Sequence, residues 1–136
     1  FDLDAADPAA NCRAVFEAQM LSMRLHSQWM QVTPDHVYAT GGASNDRTLL
    51  QVMADVLNCR VVRIEVSKSA ALGAALQAAH GWLFAGGKNP KWDKLVNGFA
   101  KPIPGSEIVP NKQAVKIYDR LLDKLASCEA DALDSL

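Results

Sequence analysis

Cysteine and histidine are scarce in this sequence, with three residues of each kind. The cysteines are odd in number and far apart, so the sequence indicates neither a disulfide framework nor a C-x-x-C site. No His or Cys pair stands at the spacing of metal ligands. We therefore predict no metal site made from these residues, and a cytoplasmic location, because unpaired thiols fit a reducing compartment. The residues in question are Cys12, Cys59, Cys128, His26, His36 and His80.

The sequence also lacks an excess of charge of either sign, with 14 Lys and Arg residues against 15 Asp and Glu residues and a net charge of -1. No block of like charge marks a surface for nucleic acid or anionic lipid. The longest apolar stretch, residues 70–85, is shorter than the roughly 20 residues that a membrane-spanning helix requires. We therefore predict that the protein binds neither nucleic acid nor membranes.

The chain does not begin with Met, and its acidic first residues lack the positive and apolar regions of a secretory signal. This start predicts a chain that begins partway through a longer gene product, although removal of an initiator Met would give the same result. With 136 residues, of which 49% are hydrophobic, the length allows one domain or part of one.

A long helix is predicted near the start of the chain. Asp7 followed by Pro8 is typical of an N-cap with proline at the first helical position, and nothing breaks a helix from there to Trp29. Apolar residues form two stripes at helical spacing, one through Leu21 and the other through Met20. We therefore expect this helix to be buried on more than one side.

Strands and helices alternate in the middle of the chain, with connections of a few residues. The predicted elements are a strand over residues 36–40, a helix from Asn45 or Asp46 to Leu57, a strand over 60–66 with Val62, Ile64 and Val66 on its apolar side, and a helix over 70–80. Ser67 or Ser69 is predicted to cap the last helix, and Gly81 to end it. This order implies a right-handed βαβ unit with parallel strands, so the fold class is α/β.

Two consecutive glycines, Gly41 and Gly42, follow the first predicted strand. Glycines remove the Cβ atoms that would keep a ligand away from the main chain, and the helix beyond them directs unpaired N–H groups outward. A glycine pair between a strand and a helix is also common as a plain tight turn. The ten residues alone therefore leave two interpretations open, a nucleotide-binding loop and a turn.

The composition of the chain changes after residue 85. Residues 86–110 are rich in Gly, Pro, Lys and Asn and predict a long loop, which in compact domains is often functional or a docking element. Asn111 is predicted to cap a last helix that runs to about Ser127, followed by a fraying tail. Gly73, inside an Ala-rich helix, is predicted to allow the close approach of another backbone or a ligand.

Three motifs follow one another between Ala39 and Gly81: Gly-Gly-Ala-Ser at 41–44, Gln-x-x-Ala-Asp at 51–55 and Ala-Leu-Gly-Ala-Ala at 71–75. In this order they resemble the C-terminal domain of the FGGY carbohydrate kinases, and within that family they are most similar to the xylulose kinases. The likeness covers residues 10–85 well and the remainder loosely.

The resemblance implies a ribonuclease H-like, actin-like ATPase fold, of which this chain would be a partial C-terminal domain with parallel strands flanked by helices. Residues 1–85 would be the ATP-binding part, and residues 86–136 a long loop and a C-terminal helix packed on the same domain. An N-terminal kinase domain of the same protein would bind the sugar and supply the general-base aspartate. No catalytic residue is therefore expected in this chain.

The resemblance also implies ATP and Mg²⁺ as cofactors and a set of nucleotide contacts. Carried onto this sequence, these contacts are the loop Gly41, Gly42 and Ala43, with Asp46 or its neighbour Asn45 on the adenine side. Relatives often have Asn where this chain has Asp46, and a plain helix-start acid is the other interpretation of that residue. Asp55 belongs to the family pattern but is interpreted as structural, since it follows an apolar helix face.

The function implied is ATP-dependent phosphorylation of a ketose, D-xylulose to D-xylulose 5-phosphate, in which this chain would supply the nucleotide-binding part and would be inactive alone. Three alternatives stay open from the sequence: a kinase of ribulose, glycerol or gluconate, a catalytically incomplete α/β interaction module, and a nucleotide sensor. The sequence is compatible with either a monomer or a homodimer.

Overall fold

The computed structural model describes residue 4 and residues 6–66, 68–99 and 101–135. Its helices and strands follow the predicted alternation. They are α1 (Pro8–Ser27), β1 (His36–Ala39), α2 (Arg47–Leu57), β2 (Arg60–Arg63), α3 (Ser69–Ala85), α4 (Trp92–Val96) and α5 (Lys112–Asp134), with single 3-10 turns at Gln28–Met30 and Gly42–Asn45.

The two strands lie side by side and parallel, in a register that pairs His36 with Arg60 and Ala39 with Arg63. Helix α2 connects them, so the predicted βαβ unit is confirmed. On its other side, β2 exchanges two main-chain hydrogen bonds with Ile108, of 3.0 and 2.9 Å. Part of the predicted loop thus runs antiparallel to β2 and covers its outer edge.

Helix α2 contributes to both clusters of buried apolar side chains. Leu50 and Ala54 pack on the sheet with Val61, which is fully buried. Val52 and Val56 lie on another side of the helix and pack among side chains of α1 and α5. The helix therefore joins the sheet to a layer of two long helices, and removing buried groups of this kind typically costs several kcal/mol.

Polar contacts hold α1 against α5 and α2. The Tyr118 hydroxyl donates a hydrogen bond of 2.7 Å to Glu17, which also accepts one of 2.7 Å from Arg13. Burial, together with the bond to Glu17, raises the pKa of Tyr118. Arg24 donates to the Val56 carbonyl at 2.9 Å, at the end of the crossover helix. These contacts fix the two long helices beside α2.

Both predicted apolar stripes of α1 contribute to the core. Met20 from one stripe and Leu21 from the other are buried, and Phe16 and Leu25 pack partly buried against the same cluster. The helix contacts both α2 and α5. The predicted burial of both stripes is therefore confirmed in part, since Met23, three residues after Met20 in the same stripe, is 54% exposed.

Helix α3 departs from the prediction in three ways. It continues through Gly81 to Ala85, and Lys68 precedes it without a side-chain cap. A side chain at Gly73 would meet no atom within 4 Å, so the predicted close approach does not occur among the described residues. Ser67, the other predicted cap, lies outside them. None of the described α3 residues is buried, although the helix is strongly apolar.

The predicted long loop contains one further helix, α4, and Trp92 at its start stacks on His80 with the ring centres 4.3 Å apart. Asn111 caps α5 as predicted, by accepting a hydrogen bond from the Gln113 amide at 2.9 Å. The predicted fraying tail was wrong, since α5 continues to Asp134. The division of the chain near residue 85 stays a prediction.

Asp55 joins α2 to the start of α5. The residue is 7% exposed, and its carboxylate accepts hydrogen bonds from the Gln51 side chain at 2.9 Å and from the Asn111 amide at 2.6 Å. A buried carboxylate with two donors stabilises the junction between two elements. Its interpretation as a structural residue fits these contacts.

We predict that Asp55→Ala lowers the free energy of unfolding by about 1.5 to 3 kcal/mol, because the Asn111 amide loses a charged acceptor. Urea unfolding followed by circular dichroism measures this. The exposed acid Asp123 on α5 is the matched control, and Asp123→Ala should change stability by less than about 0.5 kcal/mol. Equal effects of the two substitutions would contradict the structural role of Asp55.

Candidate nucleotide site

The glycine loop begins where β1 ends. Gly41 has φ 87° and ψ -174°, a backbone conformation that is essentially restricted to glycine. The 3-10 turn Gly42–Asn45 follows, and Ser44 closes it by donating its amide and its hydroxyl to the Gly41 carbonyl, at 3.2 and 2.7 Å. The loop is thus held in one shape by its own hydrogen bonds.

Both glycines face open space. A Cβ atom placed at Gly41 or at Gly42 would meet no other atom within 4 Å. Packing inside the described chain therefore does not require Gly42, whose φ is not positive. The main chain of this loop is accessible to a ligand at the carboxyl end of a parallel strand, which is where ligands bind in open α/β sheets.

Two clefts adjoin the loop. The first, which we call the glycine-loop cleft, has a volume of about 570 Å³ and lies between Gly41, Gly42 and residues 63–66. The second, which we call the arginine cleft, has a volume of about 270 Å³ and lies between the start of α2 and residues 103–108. Four residues line both clefts: Ser44, Asn45, Arg63 and Ile103.

The predicted nucleotide residues divide into two groups. Gly41, Gly42 and Asn45 line the glycine-loop cleft, whereas Ala43 and Asp46 lie in the same turn and line neither cleft. The sequence left open whether Asn45 or Asp46 contacts adenine. Of these two residues, the structure places only Asn45 at the clefts.

Asp46 is the N-cap of α2. Its carboxylate accepts hydrogen bonds from the amides of Thr48 at 2.8 Å and Leu49 at 3.3 Å. These are two of the unpaired amides at the start of a helix, and a carboxylate there also interacts favourably with the helix dipole. The interpretation of Asp46 as an acid at the start of a helix therefore has a physical basis that needs no ligand.

Arg63 was not identified from the sequence. Val62, Ile64 and Val66 were predicted to form the apolar side of the strand, with Arg63 on the exposed side. The structure does not divide the strand in this way, since Val61 is fully buried under α2 and Arg63, on the same side, is half-buried like Val62 and Ile64. The alternation of side chains places residues 61 and 63 on one face. Val61, an apolar residue two positions before Arg63 and therefore on the same face of the strand, was the sequence signal that could have found it.

The Arg63 side chain reaches Asn45 in the glycine loop, and its Nη2 atom donates a hydrogen bond of 2.5 Å to the Asn45 side-chain oxygen. Its main chain is held from the other direction, because the Arg63 amide donates to the Ser106 hydroxyl at 3.1 Å. Arg63 thus connects the loop after β1, the end of β2 and residues 103–106.

In the part of the chain that the structure describes, no group of three or more His, Cys, Asp or Glu side chains could hold a metal ion. No helix in the described ranges combines the length and the apolar character needed to cross a membrane.

Comparison with known families identifies the chain. Residues 3–82 match the model of the FGGY family of carbohydrate kinases, C-terminal domain. The chain belongs to this family. This FGGY domain is 34% identical over 126 residues to xylulose kinase of Mus musculus, and 43% identical over 79 residues to xylulose kinase 2 of Arabidopsis thaliana. These matches cover 90% and 57% of the chain.

Solved structures agree on the fold. Xylulose kinase from Rhodospirillum rubrum superposes with a TM-score of 0.68 at 27% identity, over 96% of this chain and 26% of that one. Gluconate kinase from Lactobacillus acidophilus gives a TM-score of 0.66 at 22% identity, over 88% of this chain and 23% of that one, and that likeness shows the fold alone. The predicted actin-like ATPase fold is confirmed.

The FGGY domain spans a small part of its relatives. The match covers 22% of the mouse protein and 14% of the Arabidopsis protein. The resemblance to this family that the sequence motifs gave is confirmed. The roles of individual residues in the loop stay predictions.

We predict that Asp46→Ala lowers the free energy of unfolding by about 1 kcal/mol, because two amides at the start of α2 lose their acceptor. Asp46→Asn is the matched control. It should change stability by only a few tenths of a kcal/mol, since Asn caps helices about as well as Asp. Urea unfolding measures both, and equal losses would show that the side-chain oxygen does not cap the helix.

Proposed function

We propose that this chain is the nucleotide-binding C-terminal part of an ATP-dependent sugar kinase that converts D-xylulose to D-xylulose 5-phosphate. Membership of the FGGY family supports the reaction class. The xylulose kinases among its relatives, including the mouse protein at 34% identity, support the choice of sugar. The likeness to gluconate kinase supports the fold and carries no argument about the substrate.

The open glycine loop is the observation that carries the proposal. Gly41 and Gly42 leave space above the main chain at the end of β1, beside a cleft of about 570 Å³. Ligand pockets in proteins commonly measure about 300 to 1,000 Å³. In our proposal, ribose and phosphate lie against the backbone of these glycines, and Asn45 contacts the adenine side.

Phosphoryl transfer depends on in-line positioning of the reactants and on neutralisation of charge, and it asks for little covalent chemistry from the protein. ATP supplies the phosphoryl group, and Mg²⁺ bridges its phosphates. The glycine loop fits the role of holding the nucleotide. We assign no Mg²⁺ ligand and no general base to this chain, and we place the base in the N-terminal kinase domain of the same protein.

The exposed apolar surface of helix α3 supports the presence of further kinase segments that pack on this chain. Trp82 and Phe84 are 76% and 64% exposed, and none of the described residues of this apolar helix is buried. Large exposed apolar surfaces mark interaction sites in folded proteins. We propose that other parts of the kinase pack on α3, which agrees with a chain that spans 22% of its mouse relative.

We predict that Gly42→Ala and Gly42→Val lower ATP affinity in proportion to side-chain size, by about tenfold or more for Val. The added side chain would occupy the space above the main chain that we assign to the nucleotide. Calorimetric titration of the gene product that contains this chain with MgATP measures the effect.

The stability of the same variants is the control. A Cβ atom at Gly42 meets nothing within 4 Å, so urea unfolding without nucleotide should leave Gly42→Ala close to the parent protein. Unchanged ATP affinity in a stably folded Gly42→Val variant would contradict the proposed role of the loop.

A further inference from the structure

The arginine cleft has an unusual composition for a small depression. Two arginines, Arg47 and Arg63, line it together with the polar side chains of Ser44, Asn45 and Ser106. None of the described Asp and Glu residues lines it. Asp46 is adjacent in sequence, but its carboxylate is used at the start of α2. The cleft therefore combines two positive charges with several hydrogen-bonding groups.

Three of the other four arginines form ion pairs, and the fourth, Arg120, lies on α5 and lines neither cleft. Arg13, Arg24 and Arg60 each pair with a carboxylate, at 2.7, 2.7 and 3.3 Å. Within the described ranges, Arg47 and Arg63 pair with none. Since Arg remains charged in proteins, both guanidinium groups keep a positive charge that no described acid neutralises.

Arg63 has an unfilled hydrogen-bonding position. Its Nε atom is buried and has no hydrogen-bond partner among the described residues. Buried polar atoms are usually satisfied, and each exception calls for an explanation. The hydrogen bond from Nη2 to Asn45 holds the guanidinium group in place at the wall between the two clefts.

The opposite wall of the arginine cleft is also fixed. The Ser106 hydroxyl accepts a hydrogen bond from the Arg63 amide at 3.1 Å and donates one to the Ile103 carbonyl at 2.6 Å. These bonds hold residues 103–106 beside β2, so the depression between them and α2 is preformed. Preformed sites lose less entropy when a ligand binds.

We propose that the arginine cleft binds a phosphoryl group. Guanidinium groups hold phosphate oxygens through paired, charge-assisted hydrogen bonds, and Arg63 offers such donors beside the second charge of Arg47. The phosphoryl group can come from a nucleotide in the adjoining glycine-loop cleft or from a separate phosphorylated compound. Glu65 lines the glycine-loop cleft and not the arginine cleft, so the arginine cleft is the more favourable place for an anion.

Calorimetric titration with inorganic pyrophosphate at an ionic strength of about 0.15 M, where salt screens charges that do not line the cleft, tests the proposal on the gene product that contains this chain. Arg63→Met should weaken binding about tenfold or more, because charge-assisted hydrogen bonds are lost and a tenfold change corresponds to 1.4 kcal/mol. Arg47→Met should weaken it severalfold. Arg47 makes no described side-chain hydrogen bond, so this second variant tests the cleft even where Arg63→Met does not fold.

Arg60→Met is the matched control, since Arg60 lies on the same strand and pairs with Glu107 at 3.3 Å, and neither residue lines the cleft. It should keep the parent affinity within about twofold, as expected when an exposed, ion-paired charge that does not line the cleft is removed in screening salt. An equal loss with Arg60→Met, or no binding of pyrophosphate by the parent protein, would overturn the proposal.

Saturating MgATP separates the two sources of the phosphoryl group. Competition between ATP and pyrophosphate, with weaker ATP binding by Arg63→Met, would assign the cleft to the nucleotide's own phosphates. Binding of pyrophosphate to the ATP-loaded protein would assign it to a separate compound. The two proposals can fail separately. If only the glycine-loop proposal is wrong, Gly42→Val leaves ATP affinity unchanged while Arg63→Met still weakens pyrophosphate binding.

Discussion

Packing of α2 on two sides is the constraint on which the rest of the structure depends. Leu50 and Ala54 attach the helix to the sheet, and Val52 and Val56 attach it to α1 and α5. A crossover helix buried in this way fixes both parallel strands, because it leaves from the end of one and returns to the start of the other. The glycine loop lies between β1 and this helix, so its position follows from the same packing.

The candidate site is assembled at the carboxyl ends of the two strands. Gly41 follows β1 in a backbone conformation that is restricted to glycine, and Asp46 caps the start of α2. Arg63 extends from β2 to Asn45. Each of these residues also has a structural role in the turn, the helix or the strand to which it belongs. The open main chain at Gly42 and the guanidinium groups of Arg47 and Arg63, which form no ion pair within the described ranges, are available to a ligand.

Local signals predicted much of this fold, because their causes are local. The caps Asp7 and Asn111, the glycine pair and the apolar face of α2 were all readable from neighbouring residues. The wrong predictions include whether α3 stops at Gly81 and which β2 residues are buried, and both depend on tertiary context. Arg63 was missed for the same reason, since its partners are 18 and 43 residues away in sequence.

Ketose-dependent ADP release tests the central claim most directly. The gene product that contains this chain, supplied with ATP and Mg²⁺, should release ADP when D-xylulose is added and should release little without a sugar. ADP release that does not respond to D-xylulose, ribulose, glycerol or gluconate would contradict the assignment of this chain to a working sugar kinase.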